Sequence, residues 1–226
     1  MIVLVAHGTR DPAGPRVVEE LAARVRREAR VPVRVAYADV REPDVTSVLD
    51  SVRGHHVVVV PAFLAAGYHV RTDIPAQIEA SGHLDVVLAP AFGPANELVE
   101  AMRDRLDWAG YRRGDAVVLA AAGSSDPRAL AEVRFAAEAL ATRLATPVRV
   151  GYAATARPSI ADAVTDARGR GRRVAVASWL LAPGLFQRRL AASGADVVAE
   201  PLGVHPGVVD LVLRRYREAR NPSLAA

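Results

Sequence analysis

The sequence of 226 residues contains no cysteine and no lysine, and only 5% of its residues are aromatic. The absence of cysteine excludes disulfides, thiolate metal sites, iron–sulfur clusters and cysteine nucleophiles, so any metal ligands must be His, Asp or Glu. No apolar run approaches the roughly 20 residues needed to cross a bilayer, so we expect no membrane partner. The N-terminal residues lack the basic region and cleavage site of a signal peptide, so we expect a cytoplasmic protein.

The charge balance argues against nucleic acid as a partner. The chain has 29 basic residues against 25 acidic ones, a net charge of +4. All the basic residues are arginine, whose very high pKa explains the isoelectric point of about 10.1. No basic run with interleaved aromatics offers bases a stacking surface, so we expect no nucleic-acid partner. A modest excess of arginine is equally suited to a polyanionic small molecule.

An internal repeat organises the chain. Residues 2–12 (IVLVAHGTRDP) align with residues 117–127 (VVLAAAGSSDP) at an offset of 115. Further along, residues 64–67 (LAAG) align with residues 181–184 (LAPG) at an offset of 117. A register held over such a distance indicates two copies of one unit.

We therefore predict two domains, residues 1–113 and residues 114–226. Each copy alternates short apolar strands with helical patterns, which predicts an α/β fold with a parallel sheet covered on both faces. The topology expected is flavodoxin-like or Rossmann-like, in two similar three-layer domains that face each other across a cleft. In the first copy we predict strands at 2–6, 33–38, 57–60 and 86–89, and helices at 15–28, 45–52, 96–106 and from Thr72-Asp73-Ile74-Pro75, where a capping residue precedes proline.

Candidate metal ligands follow the strands of the first copy. His7 comes after the first strand, Asp39 after the second with Glu42 close behind, and His69 lies in the loop after the third. Ligands of open parallel sheets bind beyond the carboxyl ends of the strands, so we expect these side chains at one edge. Two imidazoles and one or two carboxylates are suited to Fe, Co, Ni or Zn.

The second copy acts as an internal control because it lacks all four candidates. In chain order they align with Ala122, Ala154, Arg157 and Phe186. The glycines and prolines that shape the backbone are kept in both copies. Side chains that only stabilised the fold would have no reason to be lost together. We therefore predict one active half and one half that forms the opposite wall.

Three motifs of the first copy carry a resemblance to a known family. They are AHGTR at 6–10, YADVREP at 37–43 and GYHVRTDIP at 67–75. Together they resemble the small, ATP-independent, class II-type tetrapyrrole chelatases. These are the sirohydrochlorin cobaltochelatases and ferrochelatases of cobalamin and sirohaem biosynthesis. The resemblance covers the whole chain, since long members of this family are two fused copies.

The resemblance implies an activity and a site. His7 and His69 match the histidines that hold the incoming metal, and both would accept pyrrole protons. Asp39 stands where the family usually has glutamate, and Glu42 matches a recurrent glutamate, so which carboxylate reaches the metal stays open. The expected reaction is insertion of Co²⁺ or Fe²⁺ into sirohydrochlorin, with no tightly bound cofactor. The alternatives are a non-catalytic tetrapyrrole or metal carrier, and nickel insertion into a related tetrapyrrole.

The macrocycle of this family carries several carboxylates, which arginines pair with well. We expect Phe186 to pack against the flat ring, and the fused repeat to work as a monomer. The candidate arginines for the substrate carboxylates are Arg10, Arg41, Arg71, Arg188 and Arg189. We interpret His55 and His56 as surface residues, His83 and His205 as loop residues without a functional role, and Trp108 and Trp179 as packing residues.

Overall fold

The computed structural model describes residues 1–169 and 171–221, which form two parallel four-stranded sheets flanked by helices. The first copy comprises β1 (Ile2–Ala6), α1 (Ala13–Ala29), β2 (Val33–Tyr37), α2 (Val45–Asp50), β3 (Val57–Pro61), a π-helical turn (His69–Asp73), α3 (Ile74–Ser81), β4 (Val86–Leu88) and α4 (Asn96–Trp108). The second comprises β5 (Ala116–Ala121), α5 (Pro127–Leu144), β6 (Val148–Tyr152), α6 (Ile160–Arg168), β7 (Val174–Trp179), α7 (Leu185–Ala191), β8 (Val197–Val198) and α8 (Pro206–Arg220).

Both sheets have the same topology, which confirms the predicted α/β fold. The strand order is β2-β1-β3-β4 in the first sheet and β6-β5-β7-β8 in the second. One difference from the prediction lies at α1, which begins at Ala13 rather than at Pro15. The reason is local, since the Asp11 carboxylate accepts the N–H of Ala13 at 3.0 Å and starts the helix earlier.

The strands are continuous apolar runs because both faces of each sheet are covered. In β1, Val3 and Val5 pack against an outer core that includes residues of α2 and α3. The alternate residues Ile2 and Leu4 face the centre of the molecule, in a core that contains residues of both sheets. The second copy has its own outer core, formed by its sheet with α6 and Leu190 of α7.

The two copies exchange their last helices. Helix α4 of the first copy packs on α5 and on β7 of the second sheet, and α8 packs on α1 and on β3 of the first sheet. The two exchanged helices also contact each other, and Arg214 donates from Nε to Glu97 Oε1 at 2.7 Å. The central core is therefore continuous from one copy to the other. Within the described residues, no helix has the length and apolar character needed to span a membrane.

The exchange predicts that a cavity in α8 weakens both copies together. Leu211 is fully buried in the central core, so Leu211→Ala should lower the free energy of unfolding by about 2–5 kcal/mol. We expect one cooperative transition in urea, followed by circular dichroism. The control is Leu84→Ala, which truncates a fully exposed side chain and should have little effect. Two separate transitions, with only one of them shifted, would contradict the shared core.

Candidate metal and substrate site

The loops at the carboxyl ends of the two sheets contact each other through two ion pairs. Asp11, after β1, pairs with Arg188 of α7, and Arg71 Nε lies 3.7 Å from Oδ2 of Asp126, after β5. Asp11 aligns with Asp126 at the offset of 115, and Arg71 with Arg188 at the offset of 117. The two pairs are therefore related by the repeat and hold the loops together from both sides.

Both aspartates are held in their ionised form by their surroundings. The pKa of Asp11 is lowered first by the backbone N–H of Ala13 and then by the Arg188 side chain. The pKa of Asp126 is lowered first by the backbone N–H of Arg128, with a smaller contribution from Arg71. Each aspartate thus sits at a helix start and faces an arginine of the other copy.

The structure brings the two predicted histidine ligands together beside these ion pairs. The ring centroids of His7 and His69 are 4.5 Å apart, with the rings edge to face at 79°. The ring of Phe63, just after β3, lies 6.1 Å from His7 and 6.2 Å from His69. His7 is exposed and His69 is half-buried, so a solute can reach the pair.

Hydrogen bonds assign the protons of both rings. Nδ1 of His69 lies 2.5 Å from Oδ2 of Asp73, and Nδ1 of His7 lies 3.1 Å from the carbonyl oxygen of Gly8. An ionised carboxylate and a carbonyl can only accept, so each neutral ring carries its proton on Nδ1. The lone pair of each Nε2 is then available for a metal ion or a proton.

Asp73 makes a contact that the sequence did not predict. The π-helical turn runs directly into α3, and the Asp73 side chain makes no capping bond to that helix. It bonds His69 instead, one helical turn earlier. The signal that sequence reasoning missed is the spacing of four residues, which places His69 and Asp73 on the same side of a helical turn.

The backbone around His7 is the same in both copies. Gly8 has φ +93°, and a Cβ there would lie 2.2 Å from the carbonyl oxygen of Asp39. Its counterpart Gly123 has φ +98°, and a Cβ there would lie 1.9 Å from the carbonyl oxygen of Ala154. Only glycine fits this approach of two strand ends. The copies therefore share the backbone of the site and differ in the side chains that it carries.

The two predicted carboxylates lie in the neighbouring loop, bonded to its own backbone. Asp39 Oδ1 accepts the N–H of Val40 at 2.7 Å, and Glu42 Oε2 accepts the N–H of Asp44 at 3.0 Å. Both line an open depression of about 310 Å³ that does not include the histidine pair. Across residues 1–169 and 171–221, no three His, Asp or Glu side chains are close enough to hold a metal together. The metal roles of Asp39 and Glu42 stay predictions.

Two of the predicted substrate arginines belong to the first copy's own rim. Arg10 is exposed in the loop after His7. Arg41 is exposed as well, and its Nη1 donates to the carbonyl oxygen of Thr9 at 3.4 Å, which links the loops after β1 and β2. Arg71 and Arg188 form the two ion pairs with aspartates. A substrate carboxylate would compete with those aspartates for the guanidinium groups.

The wall formed by the second copy carries the other two predicted residues. Phe186 is half-buried against the outer core of that copy. The guanidinium carbon of Arg189 lies 5.8 Å from the centre of its ring, and Arg189 Nη1 donates to the carbonyl oxygen of Ala153 at 2.6 Å. Phe186 thus occupies the position equivalent to that of His69 as a partly buried ring, and Arg189 lies over its face.

Two exposed apolar side chains flank the site and were missed by the sequence analysis. Tyr68 is 65% exposed and Leu185 is 52% exposed. They align at the offset of 117 and directly precede His69 and Phe186. Their equivalent positions beside His69 and Phe186 make them candidates for contact with a ligand. The repeat alignment was the one signal that could have found them.

The remaining histidines bond other groups, and Trp179, the last residue of β7, is buried in the central core. His56 pairs with Asp85 at 2.6 Å, near the amino ends of the strands. His205 is buried, its Nδ1 accepts the N–H of Gly207 at the start of α8, and burial lowers its pKa. The packing interpretation was wrong for Trp108, whose side chain is 65% exposed.

Comparison with known proteins gives the same division into two copies. The family model described as CbiX matches residues 1–109 and again residues 116–219. The chain is 22% identical to the sirohydrochlorin ferrochelatase of Priestia megaterium, covering 96% of this chain and 89% of that protein. It is 34% identical over 77 residues to the sirohydrochlorin cobaltochelatase of Methanothermobacter thermautotrophicus, covering 33% of this chain and 54% of the relative. The match thus spans about half the length of the latter protein.

Solved structures share the fold over nearly the whole chain. SirB from Bacillus subtilis with Fe³⁺ matches with a TM-score of 0.83 at 22% identity, covering 99% of this chain and 96% of SirB. CbiX, described as the terminal enzyme for biosynthesis of sirohaem in denitrifying bacteria, matches with a TM-score of 0.72 at 24% identity, covering 96% of this chain and 98% of that protein. At these identities the likeness is one of fold.

The His69–Asp73 bond predicts that Asp73 supports metal binding without being a ligand. Asp73→Ala removes the acceptor that fixes the ring and its proton, so the affinity for Co²⁺ should fall by about 10–100-fold. Calorimetric titration with Co²⁺ measures this. The matched control is Asp85→Ala, which breaks the His56–Asp85 pair far from the site. An unchanged affinity in Asp73→Ala, or an equal loss in the control, would refute the assignment.

Proposed function

Because the chain belongs to the CbiX family, we propose that it is an ATP-independent chelatase that inserts Co²⁺ or Fe²⁺ into sirohydrochlorin. The observation that carries the proposal is the pair His7 and His69, with both Nε2 atoms open at the edge where the copies meet. The relatives reported above are named for this reaction, with cobalt for one and iron for the other.

The chemistry of insertion makes two demands on the protein. The macrocycle must lose two pyrrole protons, and the metal must exchange its ligands step by step. A neutral imidazole can bind a divalent metal and can accept a proton at neutral pH. His7 and His69 therefore hold the metal through Nε2 and receive the pyrrole protons as the metal leaves them for the ring. Asp73 stabilises the cation that forms on His69.

The carboxylates of the neighbouring loop complete this sequence of steps. Asp39 and Glu42 are exposed in the loop after β2, the strand that neighbours β1, and attract the incoming cation. They also pass protons from the imidazoles to water. Asp39 is one methylene shorter than the glutamate usual in the family, so Glu42 or a water molecule takes part in this proton transfer.

The tetrapyrrole lies between the two copies in this proposal. Its flat ring packs on Tyr68 from one side and on Leu185 and Phe186 from the other. Its carboxylates pair with guanidinium groups, which bind carboxylates in a planar and directional way. The arginines proposed for this are Arg10 and Arg41 on the first copy's rim, Arg189 on the opposite wall, and Arg71 and Arg188 by exchange with their aspartates.

Both walls come from one chain, so the proposed functional unit is a monomer. We place its activity in the cytoplasm.

The second candidate function is a carrier that binds the metal or tetrapyrrole without turnover. The observation that favours it is the pair of histidines with no third ligand near them in the described parts of the chain. Nickel insertion into a related tetrapyrrole is the third.

Anaerobic absorbance of sirohydrochlorin with Co²⁺, Fe²⁺ or Ni²⁺ tests these candidates. Catalytic amounts of protein are compared with controls that lack it. Several turnovers with cobalt or iron support the proposed function. Turnover with nickel alone supports nickel insertion, the third candidate. A spectral change that stops at one equivalent of protein supports the carrier.

The histidine pair predicts the outcome of a single substitution. His7→Ala removes one of the two Nε2 donors, so insertion should fall by about 100-fold or more, because general acid–base groups contribute on that scale. Circular dichroism should show an unchanged fold, since His7 is exposed. The matched control is His55→Ala, which also replaces an exposed histidine, near the amino ends of the strands. Wild-type insertion by His7→Ala would refute the site.

A further inference from the structure

We propose that Glu132, on α5 of the second copy, is a positioning residue for the metal-binding loop that carries His69. The proposal rests on the proposed function. Glu132 Oε2 accepts the backbone N–H of Ala66 at 2.8 Å, and its Oε1 lies 3.8 Å from Nη2 of Arg71. The copy that lost every candidate ligand thereby contributes to the metal site through the backbone of the other copy.

Glu132 closes a set of contacts around the peptide of residue 66. Arg71 Nε donates to the carbonyl oxygen of Ala66 at 2.7 Å, while the N–H of Ala66 is held by Glu132. Ala66 lies three residues before His69 and Arg71 lies two residues after it. The loop is therefore fixed on both sides of the histidine by one carboxylate and one guanidinium.

Partial burial strengthens the contacts of Glu132 with Ala66 and Arg71. The side chain of Glu132 is 26% exposed and that of Arg71 is 37% exposed, so water competes only in part. Gly67 lies against the loop after β5, where a Cβ on it would come within 3.8 Å of Ser124 Oγ. Hydrogen bonds with an ionised partner are stronger than neutral ones in such partly enclosed places.

The repeat shows that this contact is not part of the shared fold. Glu132 aligns with Val17 at the offset of 115, which is kept before it by residues 2–12 and after it by residues 32–37 (PVRVAY against PVRVGY at 147–152). Ala66 aligns with Pro183 at the offset of 117. Valine has no acceptor and proline has no N–H, so the equivalent bond cannot form on the other side. Donor and acceptor are both missing there, whereas the ion pairs of Arg71 and Arg188 with aspartates occur on both sides.

The Glu132–Ala66 bond is present only on the side where the segment carries a histidine, His69. The symmetric ion pairs are sufficient to hold the loop that carries Phe186, which needs no accurate placement as a packing residue. The loop that carries His69 must place one Nε2 atom at a fixed distance from that of His7, whose strand β1 lies in the centre of its sheet. Metal ligands need such support from neighbouring groups. Glu132 supplies it on the one side where a ligand is present.

The test is Glu132→Val, which installs the residue of the other copy. We expect the affinity for Co²⁺ to fall by about 10–100-fold, with a matching loss in kcat/KM for insertion. Glu132→Gln keeps an oxygen for the N–H of Ala66 and should stay close to wild type. The control is Glu138→Val, an exposed position on the same helix, which removes the same charge and should leave Co²⁺ binding unchanged.

A second substitution removes the donor of the Glu132–Ala66 hydrogen bond instead of its acceptor. Ala66→Pro removes the N–H and leaves Glu132 intact, and Pro183 shows that this loop accepts proline at the equivalent position. Both single variants and the double variant are titrated with Co²⁺, and the melting temperature is measured without metal. If Glu132 acts through Ala66, the double variant binds no more weakly than the worse single variant. Ala66→Pro also keeps the test available if Glu132→Val does not fold.

The outcomes separate this proposal from the proposed function. Wild-type Co²⁺ affinity in Glu132→Val, or effects of the two substitutions that simply add, overturns the positioning role. A lower melting temperature with unchanged Co²⁺ affinity also overturns it, because it reveals a merely structural contact. Lost affinity in Glu132→Val together with no turnover by the wild-type protein overturns the chelatase and leaves the positioning role intact.

Discussion

The exchange of α4 and α8 is the constraint on which the rest of the molecule depends. Both faces of a parallel sheet must be covered. Here the last helix of each copy packs on the inner face of the other copy's sheet. Neither inner face is complete without the other half. The loops after the strands are therefore brought together as a consequence of burying apolar surface, and the rim of the site is built where the two halves have to meet.

The two copies share the backbone of the site and differ in the side chains that it carries. Gly8 and Gly123 adopt the same left-handed conformation against the same neighbouring carbonyl group. The aspartate–arginine pairs recur on both sides of the contact. These features are needed wherever the fold is needed. What the second copy does not repeat is the set of His7, His69 and Asp73, to which we assign the metal in the proposed function.

The sequence allowed the prediction of whatever is encoded locally or by the repeat. Apolar runs gave the strands, and the approach of His7 to His69 follows from the order of parallel strands. The residues before Pro75 predict a helix cap, but capping and an i,i+4 contact use the same residue types, so only the π-helical turn reveals that Asp73 bonds His69. The helix exchange and the Glu132–Ala66 bond join residues far apart in the chain, and no periodicity records such contacts.

The same reasoning explains why the second copy persists after losing its ligands. In the proposed function one macrocycle receives one metal ion, so a second metal site facing the first would compete for the same space. Replacement of His69 by Phe186, and of its flanking Tyr68 by Leu185, turns the second edge into an apolar surface. Retaining Asp126 and gaining Glu132 keeps that surface attached to the loop that still carries a histidine. Asymmetry in the side chains thus gives the proposed cleft two unlike walls, while symmetry of the backbone keeps them opposed.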